Sequence, residues 1–428
     1  MDTKLCLITQ RSARDPKCKF DALLHHVCNE RSLAECFHSL DGRKAVGVDG
    51  IRKEDYAKNL EGNLQMLANR IKSMSYRPQP VREKLIPKEG KPGATRPLGI
   101  GCLEDKIVQK GFAQVLEAIY EPLFLDCSYG FRPGRNCHDA VKKLHHTLYS
   151  QPISTVVDID IKAYFNTIDH KWLMQMLELK ISDRKFLRYI GRMLKAGVLR
   201  EGEFHITDEG TPQGSLVSPV LSNIYLHYVL DLWFEHELKK HCIGRAWLFR
   251  YADDAIACFE CEEDAQKYAE TLPGRMAKFG LEVSAEKSAM VHFCKNSTKD
   301  RNGTFNFLGF TFYLGMSRSN RRIPKVRTNR KKFKVKLRRV KEWMQQVKTG
   351  RRIGWIWDTF RAKIRGHIQY FGVSFNTKNV ERFLYEATRI VFKWLNRRSQ
   401  RKSYTWDGFS KFQKQFPLPK VCVVHKLF

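Results

Sequence analysis

An α+β fold is what this chain of 428 residues predicts. Strand-like and helix-like runs alternate along it, but with no regular βαβ period. Apolar and aromatic residues make up 43% of the chain, enough for a substantial core. The length suits two or three domains.

Residues 20–75 read as mostly helical, interrupted by the loop Ala45-Val46-Gly47-Val48-Asp49-Gly50. Within them Tyr56, Leu60, Leu64, Leu67 and Ile71 recur at helical spacing and form a core stripe. The stretch from Lys84-Leu85-Ile86-Pro87-Lys88 to Arg96-Pro97-Leu98-Gly99-Ile100 has apolar ends and a flexible middle, which predicts a hairpin. Helices are expected over 103–120 and 137–150, with the loop Ser128-Tyr129-Gly130-Phe131-Arg132-Pro133-Gly134-Arg135 between them. Thr155–Ile161 reads as a strand, and 170–196 as helices. The segment Gly210-Thr211-Pro212-Gln213-Gly214-Ser215 is expected to open a long helix reaching about residue 240. Two short apolar runs flank Tyr251-Ala252-Asp253-Asp254 and predict a second hairpin. A helix over 262–279 and strands near 281–284, 289–294 and 304–313 follow. Near residue 320 the composition shifts to a run of Lys and Arg with no acid, then to a helical pattern rich in aromatics. That shift places a domain boundary there, between 1–320 and 321–428.

The formal net charge is +31, far beyond the magnitude of about 2–8 that solubility needs. The excess points to a polyanionic partner, and nucleic acid fits better than membrane. No apolar run is long enough to span a bilayer, and the first residues lack the core of a secretory signal. Twelve cysteines are scattered, and only Cys258 and Cys261 form a C-x-x-C, so a reduced, cytoplasmic setting is expected. Cys258 reads as a packed thiol. His25-His26 and His145-His146 read as surface helix residues rather than metal ligands.

The chemistry is carried by acids in apolar surroundings. Asp253 and Asp254 sit at a tight turn, and Asp158 and Asp160 lie in an apolar strand far upstream. Carboxylates so placed are costly unless paired or metal-bound. Brought together, they suit a hard divalent cation that keeps coordination positions for phosphate, and two-metal phosphoryl transfer needs such an assembly. Strand periodicity puts Asp158 and Asp160 on one face and does not choose between them.

Val157-Asp158-Ile159-Asp160-Ile161-Lys162-Ala163-Tyr164-Phe165, Thr211-Pro212-Gln213-Gly214, Tyr251-Ala252-Asp253-Asp254 and Phe307-Leu308-Gly309-Phe310 occur in one order. Together they resemble the successive motifs of a reverse transcriptase. The Gly47–Gly50 loop, the 86–100 element and the 129–135 loop narrow the likeness to the group II intron-encoded reverse transcriptases, or maturases. The resemblance implies a right-hand polymerase fold with fingers, palm and a basic helical thumb that doubles as the maturase (X) domain. It implies RNA-directed DNA synthesis with two Mg²⁺ ions held by Asp160, Asp253 and Asp254, and it selects Asp160 because the motif's aromatic residue follows at Phe165. Phe165 would lie under the incoming sugar and select dNTPs. Lys88 and Arg96 would grip the triphosphate, Gln213 would rest against the new base pair, and Lys287 would protonate the leaving pyrophosphate. Leu308 and Gly309 match the primer grip, and Lys331, Lys332, Lys334 and Lys336 would contact phosphates. The implied partners are intron RNA or another RNA template, a DNA primer or target, and no membrane.

Asn166, Ser288 and Ser215-Leu216-Val217 depart from the common pattern without removing a metal ligand. No HNH endonuclease motif follows the basic helices, so a 3′ end supplied from elsewhere is expected. Two alternatives stand beside intron splicing and retrohoming. One is a domesticated enzyme of repair or phage defence, the other a silent RNA-binding splicing factor.

Overall fold

The computed structural model describes residues 3–87, 93–200, 203–205, 208–211, 214–286, 288–296, 302–398 and 404–428. Helices α1 (Thr3–Arg14), α2 (Leu24–Val27), α3 (Glu30–Ser39), α4 (Lys53–Ala57) and α5 (Leu60–Lys72) lead into the hairpin β1 (Val81–Pro87) and β2 (Thr95–Ile100). Tyr56 of α4 and Leu64, Leu67 and Ile71 of α5 are buried, as their spacing predicts. In the hairpin Leu85 pairs with Pro97 and Ile86 with Arg96. α6 (Leu103–Tyr120) and α7 (Cys137–Ser150) keep the bounds read from their apolar periodicity. Asn136 and Asp139 close a capping box at the start of α7.

The centre of the chain holds β3 (Thr155–Ile159), α8 (His170–Glu178), α9 (Arg184–Leu194), β4 (Val198–Arg200), β5 (Glu203–His205), α10 (Ser218–Leu226) and α11 (Leu232–His236). After them come β6 (Ala246–Tyr251), β7 (Asp254–Phe259), α12 (Glu262–Ala277), β8 (Ala289–His292), β9 (Phe305–Phe307), β10 (Phe310–Met316) and β11 (Arg322–Thr328). The C-terminal helices are α13 (Arg330–Val347), α14 (Ile353–Phe371), α15 (Thr377–Leu395) and α16 (Trp406–Gln415).

Several elements differ from the expectation. The helix expected from residue 210 begins at Ser218, where a proline occupies its first turn. It is not continuous either. A π turn over His227–Asp231 joins α10 to α11 and delivers Asp231 into the interior. Residues 281–284 form no strand, only a bridge between Val283 and Ile161. The run 304–313 is two strands, β9 and β10, folded about Leu308 and Gly309. β11 lies in the basic stretch, with Pro324, Val326 and Thr328 buried and the charged positions between them turned outward. Its period of two is masked by charge density. Residue 320 is in the turn between β10 and β11, which pair along their whole length. His145 is buried rather than on the surface, its Nε2 3.0 Å from the Pro324 carbonyl.

Among the described residues the strands form three sheets, ordered β2-β1-β4-β5, β6-β7-β3-β8 and β11-β10-β9. The middle one positions the acids. Val157, Ile159, Ala255 and Ala257 face a core built with α5, α6, α8, α9 and α10. Val156, Phe249, Ile256 and Cys258 face a second core built with α7, β9–β11 and the C-terminal helices. A sheet covered on both faces reads as a continuous apolar run, which is how β3 and β7 look in sequence. Cys258 is fully buried, and all twelve cysteines are free thiols. No helix among the described residues is long and apolar enough to cross a membrane.

One buried acid on α6 belongs to neither motif nor site. Asp105 accepts hydrogen bonds from the Tyr76 hydroxyl and from the Gln79 amide at 3.2 Å, and burial pushes its pKa up to about 6. Its folded pKa stands above the unfolded 3.8, so its contribution to stability is full below that value and is lost as the pH rises through about 6. Compared with Asp105→Asn, the wild type should therefore lose on the order of 2 kcal/mol of stability between pH 4 and pH 7.5. Urea denaturation at the two pH values measures this, and parallel shifts of the two proteins would contradict it.

Candidate active site

β3 pairs antiparallel with β7, Asp158 opposite Ile256 and Ile159 opposite Ala255. The next residues along the two strands are Asp160 and Asp254, so the ends of β3 and β7 bring these acids side by side. Asp158 is on the same face, that of Val156 and Ile256, turned toward the second core. Its carboxyl is pushed up to about 7 by burial first and then by the charges of Asp254 and Asp160. Asp253, at the second turn position, is near enough to Tyr164 to disfavour ionisation of that phenol, which burial already raises.

The β6–β7 turn is tight. Tyr251 pairs with Asp254, leaving only Ala252 and Asp253 between the strands. Ala252 takes φ 57, a left-handed conformation that a residue with a Cβ adopts at a cost. A fully buried arginine holds it there. Arg250 donates to the two Asp231 oxygens at 2.7 and 2.5 Å, to Asn223 Oδ1 at 3.0 Å, to Ser128 Oγ at 2.8 Å and to the Ala252 carbonyl at 3.0 Å. Burial works against its charge, but the Asp231 carboxylate outweighs that and keeps the guanidinium above its ordinary pKa. Asn223 also donates to the Gly130 carbonyl at 2.7 Å. Gly130 is pressed so closely on the turn that a Cβ there would sit 2.4 Å from the Ala252 nitrogen. The 129–135 loop is thus the support of the acid turn.

The strand carrying Asp160 is fixed from its other side. The Ser284 amide donates to the Asp160 carbonyl at 2.8 Å, and the Asp160 amide donates to Ser288 Oγ at 3.2 Å. The serine that departs from the motif pattern therefore performs the holding. Lys287 itself lies outside the described residues.

Phe165 follows on a short turn and packs half-buried against the first core. Its carbonyl accepts from the Thr211 amide at 2.7 Å. Phe165, Thr211, Pro97 and Gly99 line one cavity of about 220 Å³. Gly214 approaches β2 so closely that a Cβ would meet the Gly99 carbonyl at 2.3 Å. The flanks of the Thr211–Gly214 motif thus bridge Phe165 and β2. Gln213, between them, and Lys88, beyond β1, lie outside the described residues. Arg96 is exposed on β2.

Leu308 and Gly309, at φ 48 and 82, make the turn between β9 and β10. Two positive φ angles are the signature of a type I′ hairpin turn. The Tyr370 hydroxyl donates to the Leu308 carbonyl at 2.9 Å. Burial, with Cys137, Tyr251 and Asp254 nearby, raises the Tyr370 pKa, so this turn lies on the side of the acids. At the start of α13 Asn329 caps the amides of Lys331 and Lys332. Lys331, Lys332 and Lys334 are exposed, while the Lys336 ammonium packs 5.3 Å from the Phe371 ring centre.

Among the described residues, no three His, Cys, Asp or Glu side chains form a closed metal cage. The converging acids fit a hard cation held by one or two carboxylates, with water and phosphate oxygens completing its shell. The mutual repulsion that raises Asp158 is what such a cation would relieve.

The sequence reading missed Arg250, Asp231, Asn223 and Gly130 as parts of this site. An arginine inside the apolar run Ala246–Tyr251 was the available signal, since a charge there demands a buried partner.

Residues 86–312 match the family described as reverse transcriptase (RNA-dependent DNA polymerase). The chain is 37% identical over 222 residues to Protein YkfC of Escherichia coli, covering 50% of this chain and 58% of that protein. It is 39% identical over 217 residues to the group II intron-encoded protein LtrA of Lactococcus lactis subsp. cremoris, covering 50% of this chain and 36% of LtrA. It is 36% identical over 235 residues to an uncharacterized 91 kDa protein in the cob intron of Schizosaccharomyces pombe, covering 54% of this chain and 28% of that one. The matched segment thus spans less than two thirds of each relative, from 28% to 58% of its length.

Two substitutions separate the turn's support from its acids. Arg250→Met leaves Asp231 buried without its partner and should cost about 3–5 kcal/mol in urea denaturation. Gly130→Ala should leave a folded protein whose displaced turn binds Mg²⁺ or Mn²⁺ more weakly in titration calorimetry. Unchanged metal affinity in Gly130→Ala would refute the link between that loop and the acids.

Proposed function

The chain belongs to the reverse transcriptase (RNA-dependent DNA polymerase) family, and from that membership we propose that it copies RNA into DNA as a group II intron-type enzyme. On this reading it also binds intron RNA to assist splicing and retrohoming. The observation that supports polymerisation most directly is the meeting of Asp160 and Asp254 at the ends of β3 and β7, beside the Asp253 turn. The likeness to the group II intron-encoded protein LtrA, over half of this chain, supports the intron type.

In this reading residues 1–320, with two whole sheets and β9 and β10 of the third, serve as fingers and palm, and 321–428, with β11 and the C-terminal helices, as the helical thumb. Asp160, Asp253 and Asp254 hold two Mg²⁺ ions. When bound, such ions activate the attacking hydroxyl and stabilise the leaving oxygen. Phe165 supports the sugar of the incoming dNTP and leaves no room for a 2′-hydroxyl. Arg96 and Lys88 donate to triphosphate oxygens. Gln213 bears on the new base pair, and Lys287 gives a proton to the departing pyrophosphate. The Leu308–Gly309 turn lets the primer backbone approach closely. Lys331, Lys332, Lys334 and Lys336 neutralise strand phosphates.

Primer extension on an RNA template with dNTPs and Mg²⁺ tests the reading. Wild type should extend the primer, and Asp253→Ala should lose at least about a hundredfold in rate while remaining folded. A folded wild type that extends no primer across templates and salt concentrations would overturn it.

A further inference from the structure

The Leu308–Gly309 turn keeps two consecutive residues in the left-handed region, so something outside it has to hold its shape. The Asn329 amide donates to the Gly309 carbonyl at 3.0 Å, and the Tyr370 hydroxyl donates to that of Leu308. The Tyr370 ring also stacks on Phe310, 5.9 Å away with the planes 6° apart. A Cβ on Gly309 would stand 3.8 Å from the rings of Tyr370 and Phe371. The turn therefore rests on the last residues of α14.

A helix end leaves its last four carbonyls without intrahelical donors. At the end of α14 the Ile368 carbonyl takes the Gly372 amide at 2.7 Å, and the Phe371 carbonyl takes the Val373 amide and the Asn376 side chain, each at 2.8 Å. Two histidines from distant parts of the chain meet the other two. His138 Nε2 is 2.8 Å from the Tyr370 carbonyl, and His425 Nε2 is 2.9 Å from the Gln369 carbonyl. A carbonyl only accepts, so both Nε2 atoms carry a proton. The two rings stack on each other, 3.6 Å apart and within 11° of parallel.

Each histidine is itself anchored. His138 lies in the first turn of α7, beside the capping box, with its Nδ1 3.5 Å from Cys137 Sγ. Val141 and Leu144 of the same helix share a core with Phe249 and Ile256 of the acid-bearing sheet. Burial lowers the His138 pKa, the Tyr370 carbonyl raises it in part and His425 lowers it again, so the ring is neutral at pH 7.5. His425 belongs to the stretch 421–428. There the Val424 and His425 amides donate to the Gly372 carbonyl at 2.7 and 3.0 Å, and the Leu427 amide donates to Ser374 Oγ at 3.2 Å. A line of contacts thus runs from the sheet that carries the acids, through α7 and the histidine pair, to Tyr370 and the 308–309 turn.

We propose that His138 and His425 are positioning residues for primer extension: as a stacked pair of caps on α14 they fix Tyr370, and through its hydroxyl they hold the Leu308–Gly309 turn at a set distance from the acids. The inference rests on the reading of that turn as the primer's support, and it gives the stretch 421–428 a part in the reaction. Without the two N–H donors the last turn of α14 loses its caps, and Tyr370 moves with it. A primer end displaced by about 1 Å costs up to about a hundredfold in rate, so a partial displacement is visible in kinetics.

The test uses the full chain and a primer annealed to an RNA template, with single-turnover extension and hybrid affinity measured in parallel at pH 7.5. His138→Phe and His425→Phe keep a ring for the stack and remove the donor. Each should slow extension about tenfold at saturating dNTP. Hybrid affinity and its salt slope should stay as they are, because the histidines release no counterion. His138→Gln and His425→Gln return an amide N–H near the Nε2 position and should restore most of the rate. Tyr370→Phe should slow extension to a similar degree, and adding His425→Phe to it should cost little more, since both act on one line of contacts. Full extension rates in folded Phe variants would overturn the proposal, and so would equal losses in the Phe and Gln variants, which would mark a merely structural role. Tyr370→Phe removes only a hydroxyl, so an unaltered rate there overturns the proposal even where a histidine variant does not fold. A wild type that extends no primer sinks the polymerase reading together with this one, whereas a wild type that extends beside equally fast variants sinks this one alone.

Discussion

The ion pair of Arg250 with Asp231 is the constraint on which the candidate site depends. Both side chains are fully buried, so each would be an uncompensated charge without the other. The guanidinium spends its remaining donors on Ser128, Asn223 and the Ala252 carbonyl, and Asn223 in turn reaches Gly130. Three places in the chain, the 128–130 loop, Asn223 of α10 and Asp231 of the π turn, are thereby tied to one turn. An alanine in a left-handed conformation persists only where its surroundings over-determine it, and this network does so. The π turn between α10 and α11 belongs to the same device, because it carries Asp231.

The second governing feature is the placement of the acids at one end of a sheet that is buried on both faces. Like charges gathered there repel, and the raised Asp158 records the repulsion together with burial. A polypeptide tolerates such a cluster only with a rigid frame behind it. The frame comes from β3 between β7 and β8, from the clamp of Ser284 and Ser288 on Asp160, and from the two cores.

Much of this was legible in the sequence, for identifiable reasons. α6 and α7 were readable to the residue because their apolar periodicity defines them, helped at the start of α7 by its capping box. The Asp253 hairpin was readable because two apolar runs flank two residues. β11 was not, since its lysines and arginines hide an alternation that shows only when Val326 is seen buried. Nor was the break in the long helix after residue 210, because a π turn leaves no compositional mark and is paid for by a partner, Arg250, distant in sequence. The motif acids were visible as isolated anomalies in apolar runs. Of their support only Arg250 left a signal, because Gly130 acts through backbone proximity and Asn223 through side-chain hydrogen bonds to partners distant in sequence.

The double burial of the central sheet also decides where this molecule can yield. Neither face of β3 or β7 can shift without disturbing a packed core, so the acid-bearing end is the stationary part of any working cycle. Compliance is left to the periphery, where the β1–β2 hairpin exposes Leu85 and Ile86 at 54% and 40% and is attached to the rest of its sheet by a short parallel pairing with β4. On the proposed reading, a strand held against the acids would rest on a part of the chain that two packed cores keep in place.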